Sequence, residues 1–331
     1  MTKIKPFSII ALMAVAVAVS ALLTSATTHG GKDTEDEMHK NQNTQTLISN
    51  TPPRVPQSAM FAGENIDLTP QDRRERMDRE MLSFCYSHIN TMLQIKRANR
   101  LFPIVEPILK ECGVPDDFKY LMIIECNGDV EARSSAGAAG PWQFLERTGR
   151  EYGLEVNGEI DERYNIEKAT RAACKYLKDS YEEYGDWLTV AASYNTGRAN
   201  VTKRINAQKE SKAIDLVLLP ETSRYIFRLM AIKEIFSNPQ SYGFMLRESD
   251  LYPTIPTAKE HTVTGAVSSW ADIAKEHSLT YLQLHEANPW IRSASMANKN
   301  GKRYKIKIPD TEALKYDPSK TQAHDSRWVV D

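Results

Sequence analysis

The sequence predicts a mainly α-helical domain followed by a small β-α-α-β unit. Apolar residues such as Met77, Met81 and Phe84 recur at three- and four-residue steps, which is the period of an amphipathic helix. Strand-like alternation is scarce over most of the chain but clear in the late segment Tyr304-Lys-Ile-Lys-Ile308. The 331 residues are enough for one large domain and one small one.

The N-terminal part of the chain is not expected to fold. Lys3 and Lys5 precede an apolar run that ends at Ala26, which indicates a signal peptide or an uncleaved N-terminal membrane anchor over residues 1–26. Residues 27–68 are rich in Thr, Asn, Gln, Ser, Asp and Pro and lack apolar periodicity. We expect them to form a flexible polar linker.

The large helical domain is expected over residues 69–245. Thr69-Pro70 is typical of a helix start, with Thr as N-cap and Pro at the first helical position, and this helix is expected to continue through Gln94. Further helices are expected at 100–112, 115–126, 141–152, 165–184, 186–195 and 221–236.

The C-terminal part of the chain divides into three segments. Pro253 and Pro256 indicate a linker over 246–258. Residues 259–309 predict a strand, two helices and a closing strand, a unit that is small but able to fold alone. The tail at 310–331 is polar, and we expect it to be disordered.

The charge balance and the cysteines exclude some functions. The 42 basic and 43 acidic side chains nearly cancel, so there is no broad basic field of the kind that binds nucleic acid. Four cysteines lack paired CxxC spacing, so a structural zinc site is not expected, and none of the functions considered below implies a metal or an organic cofactor. They allow three complete pairings, and buried unpaired thiols with at most one bridge are expected. These are Cys85, Cys112, Cys126 and Cys174.

Glu125 is a single carboxylate at the end of an apolar helical run. In a helix it shares a face with Phe118, Leu121 and Met122, so the acid is expected to be partly buried. Burial favours the neutral form of a carboxyl group and raises its pKa. An acid that is protonated near neutrality can give its proton to a leaving group, as glycosidic cleavage requires. The alternative is an exposed carboxylate at a frayed helix end.

Two further segments carry polar or flat side chains. The small residues of Ser134-Ser-Ala-Gly-Ala-Ala-Gly140 let a backbone approach a flat ligand closely. After them, Trp142 offers a stacking face and Gln143 offers donors and acceptors. Tyr194 and Asn195 end a later helix. Taken singly, these signals also fit a linker, a core Trp, a surface amide and a helix cap.

Four segments follow one another in a fixed order along this domain. They are Glu125-Cys126, Ser134-Ser-Ala-Gly-Ala-Ala-Gly-Pro-Trp-Gln143, Ala192-Ser-Tyr-Asn-Thr-Gly197 and Glu221-Thr-Ser-Arg-Tyr225, with Asp161-Glu-Arg163 between the second and third. Together they resemble the soluble-lytic-transglycosylase-type catalytic domain, which is close to the goose-type lysozyme fold. The resemblance covers about residues 100–240 and is specific because it rests on several ordered segments.

The resemblance implies a lysozyme-like helical catalytic domain that cleaves peptidoglycan without water. Glu125 would protonate the β-1,4 glycosidic oxygen between N-acetylmuramic acid and N-acetylglucosamine. It would then act as base on the muramyl C6 hydroxyl, which closes a 1,6-anhydro ring. The resemblance implies that the cleft is lined by Gln143, Tyr194, Asn195 and Tyr225, with Tyr225 near Glu125. We also expect Gly140 and Trp142 to contact the glycan, and Cys126, Ser134 and Glu221 to support the site.

The absence of water from this mechanism is consistent with the number of carboxylates in the matching segments. Ordinary glycosidases use two carboxylates that flank the bond. Apart from Glu221, no second acid lies in the segments that match around Glu125. A departure also matters: the family usually has Ser where this chain has Cys126. A thiol is a poor hydrogen-bond donor, so Glu125 is expected to be less firmly anchored.

Residues 259–309 resemble a lysin-motif domain, which is a carbohydrate-binding module. The likeness rests on Trp270-Ala-Asp-Ile-Ala274, Leu282-Gln-Leu284, Asn288-Pro289 and Ile306-Lys-Ile-Pro309. Ala266-Val-Ser-Ser stands where the family has a Gly-Asp-Thr segment, so a module that only packs is the alternative. A functional module would tether the enzyme to glycan.

The function expected from the sequence is therefore that of an exported peptidoglycan lytic transglycosylase in the periplasm or cell envelope, with possible membrane association. Its expected partner is the peptidoglycan glycan strand. Two alternatives stay open: a goose-type lysozyme hydrolase, and a catalytically silent glycan-binding envelope protein. The oligomeric state is open as well.

Overall fold

Residues 51–330 are described by a computed structural model, and within them ten α-helices and four short β-strands follow one another. The strands are β1 (Ser58–Phe61), β2 (Glu64–Asp67), β3 (Thr257–Val263) and β4 (Tyr304–Pro309). The helices are α1 (Gln71–Tyr86), α2 (His88–Cys112), α3 (Phe118–Cys126), α4 (Glu146–Glu151), α5 (Ile166–Tyr184), α6 (Trp187–Thr196), α7 (Arg198–Gln208), α8 (Pro220–Ser237), α9 (Trp270–Glu276) and α10 (Tyr281–Ala287). The predicted mainly helical fold class is confirmed.

The predicted signal peptide or anchor at 1–26 lies outside the described residues, as does most of the predicted linker. None of the ten helices within 51–330 is long and apolar enough to cross a membrane.

The flexible-linker prediction for 27–68 is wrong over its last residues. β1 and β2 form an antiparallel hairpin. Phe61 and Leu68 are buried in the core of the helical domain, and the Phe61 ring meets Phe118 edge-on at 5.7 Å. With Ala59 and Ile66, which are also buried, the segment places four apolar side chains in the core, and this burial fixes the hairpin although the surrounding sequence is polar.

The helix predicted to run through Gln94 is in fact two helices. Ser87 separates α1 from α2 because its backbone leaves the helical region (φ −84°, ψ 48°). Its hydroxyl accepts a hydrogen bond from the Asn90 side chain at 2.9 Å, which is a local alternative to helical bonding. α2 then continues through Pro103 and Pro107 to its end.

α3 and α8 form the centre of the helical domain. α8 packs against α1, α3 and α6, and α5 packs against α2 and α6. On α3, Phe118, Leu121 and Met122 are fully buried. α3 ends at Cys126, so Glu125 lies in the last turn of this buried helix and is itself only partly buried.

α7 is a helix that the sequence reasoning missed. Gly197 ends α6 with φ of +87°, as its helix-breaking character predicts, but the chain enters another helix at once. Val201 is the buried residue of α7. A helix with so small an apolar face gives no clear period in the sequence.

The C-terminal unit has the predicted β-α-α-β order. β3 and β4 pair antiparallel, and α9 and α10 lie between them in the chain. Trp270, Leu284 and Ile306 are fully buried and form its apolar centre.

This unit packs on the helical domain along residues 155–164. Ile160 forms a β-bridge with Ile291, and the Asp161 backbone N–H donates to the Trp290 carbonyl at 2.9 Å. Ala139, Ile160 and Tyr164 of the helical domain belong to the same apolar cluster as the core of the unit. The two units therefore share buried surface.

The Pro-containing linker at 246–258 also lies against the helical domain. Leu246 and Leu251 are buried. Arg100 Nε on α2 donates to the Pro253 carbonyl at 3.0 Å. The chain thus reaches the C-terminal unit along a fixed path.

The prediction of a disordered tail at 310–331 is wrong for its last residues. Trp328 is 2% exposed and packs between Phe102 and Phe236, and its Nε1 donates to the Phe236 carbonyl at 2.9 Å. The Val330 N–H donates to the Leu246 carbonyl at 2.9 Å. We call residues 321–330 the C-terminal strap. The tail is polar on average, but the single large side chain of Trp328 supplies enough apolar surface to fix it on the helical domain.

Candidate active site

Glu125 is half-buried at the end of α3, one residue before the helix terminus. Burial raises the pKa of Glu125 to about 7. The Tyr225 hydroxyl and the Arg228 guanidinium act in the opposite direction, and the negative charge of Glu221 adds to the rise. The carboxyl group is therefore divided between its acid and base forms near neutral pH, which suits a group that must first give and then take a proton.

Tyr225 is the partner of this acid. It lies on α8, is 7% exposed, and its hydroxyl donates to Glu125 Oε1 at 2.5 Å. A donor of this kind favours the charged carboxylate and so limits the rise in the pKa of Glu125. The structure thus brings together α3 and α8, and with them the first and last of the four sequence segments.

Tyr194 lies beside the pair on α6. The charge of Glu125 and burial together raise the pKa of the Tyr194 phenol, with burial as the larger cause. Its hydroxyl donates to the Trp142 carbonyl at 2.7 Å, which ties α6 to the loop of small residues. Tyr194 also meets Tyr176 edge-on at 5.2 Å, and Tyr176 meets Tyr152 at 5.5 Å. A row of rings therefore leads from the acid towards the end of α4.

The loop of small residues is closed on itself. The Ser134 N–H donates to the Ala138 carbonyl, and the Ser134 hydroxyl accepts from the Ala138 N–H at 3.0 Å. The Gln143 side chain donates to the carbonyls of Ala132 and Gly140 at 2.9 and 2.8 Å. Ser134 and Gln143 thus hold the loop in shape, and the Gln143 amide oxygen accepts no hydrogen bond from residues 51–330.

Gly140 is required where the loop meets the next segment. Its φ is +79°, and a Cβ at this position would lie 1.8 Å from the Arg163 carbonyl oxygen. Arg163 is buried and paired with Asp161 at 2.7 Å, and it donates to the carbonyls of Gly137 and Phe144. The Asp161-Glu-Arg163 segment is therefore the support against which the loop is fixed.

The prediction that Trp142 stacks on a ligand is wrong. The side chain is fully buried, and its Nε1 donates to Thr170 Oγ1 on α5 at 2.9 Å. Trp142 is therefore a core residue, and its contact with the site is made by its backbone carbonyl, which accepts the hydrogen bond from Tyr194. A Trp in a small-residue loop fits either a stacking face or a core anchor, and the sequence could not decide between them.

Asn195 is held by a residue that sequence reasoning did not single out. Asn195 Oδ1 accepts a hydrogen bond from Thr222 Oγ1 on α8 at 2.8 Å. Thr222 stands inside the quoted Glu221-Thr-Ser-Arg-Tyr225 segment, so its place in that segment was the available signal. The bond joins the third and fourth segments one turn from Tyr225.

The Cys126 thiol does not serve as a hydrogen-bond donor to Glu125. It is 2% exposed and donates to the Met122 carbonyl at 3.1 Å on the same helix. Burial raises the pKa of this thiol to about 12. All four cysteines are unpaired within the described chain. The thiol thus fills the core and leaves the anchoring of Glu125 to Tyr225.

Glu221 is exposed in the first turn of α8. It makes no hydrogen bond to Glu125, although its charge reaches it. Across residues 51–330, no group of three or more His, Cys, Asp or Glu is arranged to hold a metal ion. The chemistry that the geometry offers is that of one desolvated carboxyl group with a phenol donor.

Two segments of the chain match known protein families. Residues 104–217 match the family described as the Transglycosylase SLT domain. We call this matched segment the SLT domain. The SLT domain includes Glu125, the loop and Tyr194, while Glu221 and Tyr225 lie just beyond the matched residues. Residues 259–312 match the soluble lytic transglycosylase C-terminal LysM-like domain, which we call the LysM-like module.

Two relatives share one name. The chain is 32% identical over 198 residues to membrane-bound lytic murein transglycosylase D of Escherichia coli (strain K12), and equally to that of Escherichia coli O6:H1 (strain CFT073). The alignment covers 57% of this chain and 43% of each relative. The chain thus spans less than half of the length of the relatives that it matches.

Proposed function

We propose that this protein is a peptidoglycan lytic transglycosylase, which cleaves the β-1,4 bond between N-acetylmuramic acid and N-acetylglucosamine. The observation that carries the proposal is Glu125, a desolvated acid with a pKa of about 7 that receives a hydrogen bond from Tyr225. The SLT domain and the named relatives support the same activity.

In the proposed reaction, Glu125 serves first as acid and then as base. It protonates the glycosidic oxygen as the bond to the muramyl C1 breaks. The resulting carboxylate, stabilised by the Tyr225 hydroxyl, takes the proton of the muramyl C6 hydroxyl. The C6 oxygen attacks C1 and closes the 1,6-anhydro ring. Water is not consumed, so no second carboxylate is needed to activate it.

The proposed glycan contacts are the groups that face the acid. Tyr194 and Tyr225 form one wall, and the free amide oxygen of Gln143 and the side chain of Asn195 offer polar contacts at its edge. Gly140 lets the loop backbone pass close to Arg163, and this loop is proposed to contact the glycan as well.

A hydrolase of the goose-lysozyme type is the second candidate, and one observation favours it. The charge of Glu221 reaches Glu125, so a second carboxylate lies within electrostatic range. Glu221 would have to activate a water molecule on the far face of the sugar. Its products would end in a reducing sugar, which separates the two candidates chemically.

We further propose that the protein is exported and works in the cell envelope, in the periplasm or associated with a membrane. The Lys-flanked apolar run at 1–26 supports export, and the relatives are named membrane-bound. The LysM-like module is proposed to contribute to peptidoglycan binding.

The first test is release of soluble fragments from purified sacculi. We expect release by the wild type and none by Glu125→Gln, which keeps the shape of the side chain but cannot donate an acidic proton. Glu182→Gln is the matched control, because Glu182 is exposed on α5. The proposal fails if Glu125→Gln and Glu182→Gln release fragments equally.

A further inference from the structure

A cavity of about 630 Å³ opens between the SLT domain and the LysM-like module, on the side of α4. One wall is formed by α4, α5 and the segment between them, and the other by the residues that lead into β4. Its charged lining residues are Arg150, Glu155, Glu162, Lys168, Lys302 and Arg303. The volume is in the range of small-ligand sites, roughly 300–1,000 Å³. The cavity exists because the module packs on the domain.

The cavity is basic after its internal ion pairs are counted. Four basic and two acidic side chains line it, and Glu146, outside the lining, pairs with Arg150, which leaves an excess of one positive charge. Lys168 pairs with Glu162, and Lys302 pairs with Glu155 at 3.1 Å. Both acids are thus neutralised by lysines from the walls.

The excess charge comes from Arg303, while Arg150, which is paired with Glu146, lies on the opposite wall and keeps guanidinium N–H groups at the cavity. Arg303 makes no ion pair with any residue of the described chain. Arg150 is fixed, since it donates to the Val156 carbonyl and pairs with Glu146 at 2.8 Å. Guanidinium groups with free N–H donors suit planar carboxylates, which they bind through two parallel hydrogen bonds.

The cavity lies beside the candidate active site along the chain. α4 begins three residues after Gln143 and ends next to the cavity, and its six residues span about 9 Å. The row of Tyr194, Tyr176 and Tyr152 ends next to Gly153, which lines the cavity. A substituent on a glycan bound at Glu125 could therefore reach the cavity.

We propose that this cavity binds the carboxylates of the peptide that the muramyl residue of peptidoglycan carries. The proposal rests on the proposed function and names the part of the substrate that it would recognise. A stripped glycan strand keeps only the lactyl carboxylate beside each muramyl ring, whereas the peptide carries carboxylates several bonds further from the ring, where they could extend to the cavity. Recognition of the peptide would favour peptide-bearing strands over stripped ones.

Binding is tested by calorimetry on the whole protein at low salt, with the tripeptide L-Ala-γ-D-Glu-L-Lys as the probe. We expect the free peptide to bind and its fully amidated form to bind at least about tenfold more weakly, because the charge-assisted hydrogen bonds are lost. Arg303→Gln and Arg150→Gln should each weaken binding of the free peptide about tenfold. Both side chains are exposed, so neither change removes core packing.

Lys299→Gln is the matched control. It removes a positive charge from the same exposed loop outside the cavity and should leave peptide binding unchanged. Equal binding by Arg303→Gln and Lys299→Gln would overturn the proposal. So would the absence of peptide binding to the wild type, or inorganic phosphate binding as tightly as the peptide, which would make this a general anion site.

A kinetic comparison separates this proposal from the proposed function. Arg303→Gln should raise KM on peptide-bearing strands several-fold more than on strands stripped of peptide. Equal effects on both substrates would contradict peptide recognition. If no strand of either kind is cleaved, the proposed function fails, while the calorimetric result still decides whether the cavity binds the peptide.

Discussion

Glu125 is a carboxyl group placed where its ionisation is unfavourable. It ends a helix whose other residues are almost all buried, and burial is the main cause of its raised pKa. The hydrogen bond from Tyr225 offsets part of this cost. The sequence predicted the burial, because Glu125 shares a helix face with apolar residues, but it could not show the partner 100 positions away.

Replacing Glu125 by Gln should stabilise the protein, increasingly so at high pH. The folded-state pKa of about 7 lies above the unfolded value of about 4.3, so the folded protein binds more protons in that window and loses stability as pH rises. Gln does not ionise. The gain in the free energy of unfolding over wild type should grow by about 2–3 kcal/mol between pH 5 and pH 8. Urea unfolding at both values measures it.

Glu182→Gln is the control for this measurement. Its side chain is exposed, so its free energy of unfolding should follow that of the wild type at both pH values. A gain for Glu125→Gln that does not depend on pH would show that the acid is not desolvated.

Tyr225→Phe should slow cleavage and move its pH dependence. The hydroxyl stabilises the carboxylate that forms as the proton leaves, and a hydrogen bond to a charged group contributes about 1.5–3 kcal/mol, so kcat should fall about 10- to 100-fold. Loss of the donor also raises the pKa of Glu125, so the alkaline limb of the rate profile should shift to higher pH.

Tyr184→Phe controls for the loss of a phenol, because the Tyr184 hydroxyl binds the Arg198 carbonyl and Thr202 instead of the acid. An unshifted profile for Tyr225→Phe would remove Tyr225 from the proposed mechanism.

Other residues show where sequence reasoning stops. Trp142 and Cys126 were both assigned near the ligand or the acid, and both side chains are buried in the core. Helical spacing gives the face on which a residue lies but not the rotamer of its side chain. The Sγ of Cys126 bonds backward along its own helix, a choice that spacing cannot reveal.

At the scale of elements, the loop before Gln143 depends on a close backbone contact. Gly140 lies against the Arg163 carbonyl, and the Arg163 side chain donates to the carbonyls of Gly137 in the loop and Phe144 just after it. Small residues in the sequence predicted a close approach of backbone to a ligand. The structure shows that at Gly140 the approach is to the protein's own chain.

Gly140→Ala should destabilise the protein by about 3 kcal/mol or more, because a Cβ 1.8 Å from a backbone oxygen forces the loop away from Arg163. Gly137→Ala is the matched control in the same loop. It has φ of +83° but nothing within 4 Å of its Cβ, so it should cost only the left-handed backbone penalty of about 1–2 kcal/mol. Thermal unfolding of the two variants compares them, and equal losses would contradict the contact.

Most helices could be predicted, and the misses have physical causes. Periodicity located α3, α5, α6 and α8, whose buried faces are wide. It missed α7, which has a narrow buried face. It joined α1 to the start of α2 because Ser87 breaks the helix without a Gly or Pro, and it assigned the rest of α2, from residue 100, to a separate helix. The hairpin at Phe61 was missed because its packing partners are distant in the sequence.

At the scale of the whole molecule, the chain returns to its first domain after the LysM-like module. The module packs on residues 155–164, which include Arg163, the residue that contacts the small-residue loop. The C-terminal strap then packs on α2 and α8. The module is thus held on both sides, unlike a tethered accessory on a flexible linker. The contacts of the LysM-like module therefore show that it packs on the helical domain.

Trp328→Ala should cost about 3–5 kcal/mol of unfolding free energy, because it leaves a cavity between Phe102 and Phe236. Tyr316→Ala is the control: Tyr316 is 77% exposed in the same C-terminal segment, and its loss should change stability by less than about 0.5 kcal/mol. Denaturant unfolding of both variants is the measurement. Equal stabilities would mean that the strap does not pack in solution.

The central proposal is that one carboxyl group cleaves the glycan without water. Mass spectrometry of fragments released from purified sacculi tests it most directly. We predict fragments lighter by one water than their hydrolysed counterparts, with 1,6-anhydromuramyl ends, that disappear with Glu125→Gln. Fragments with reducing ends would instead assign a hydrolase. If the wild type releases nothing while it still sediments with sacculi, the protein binds glycan without cleaving it, and the proposed activity is contradicted.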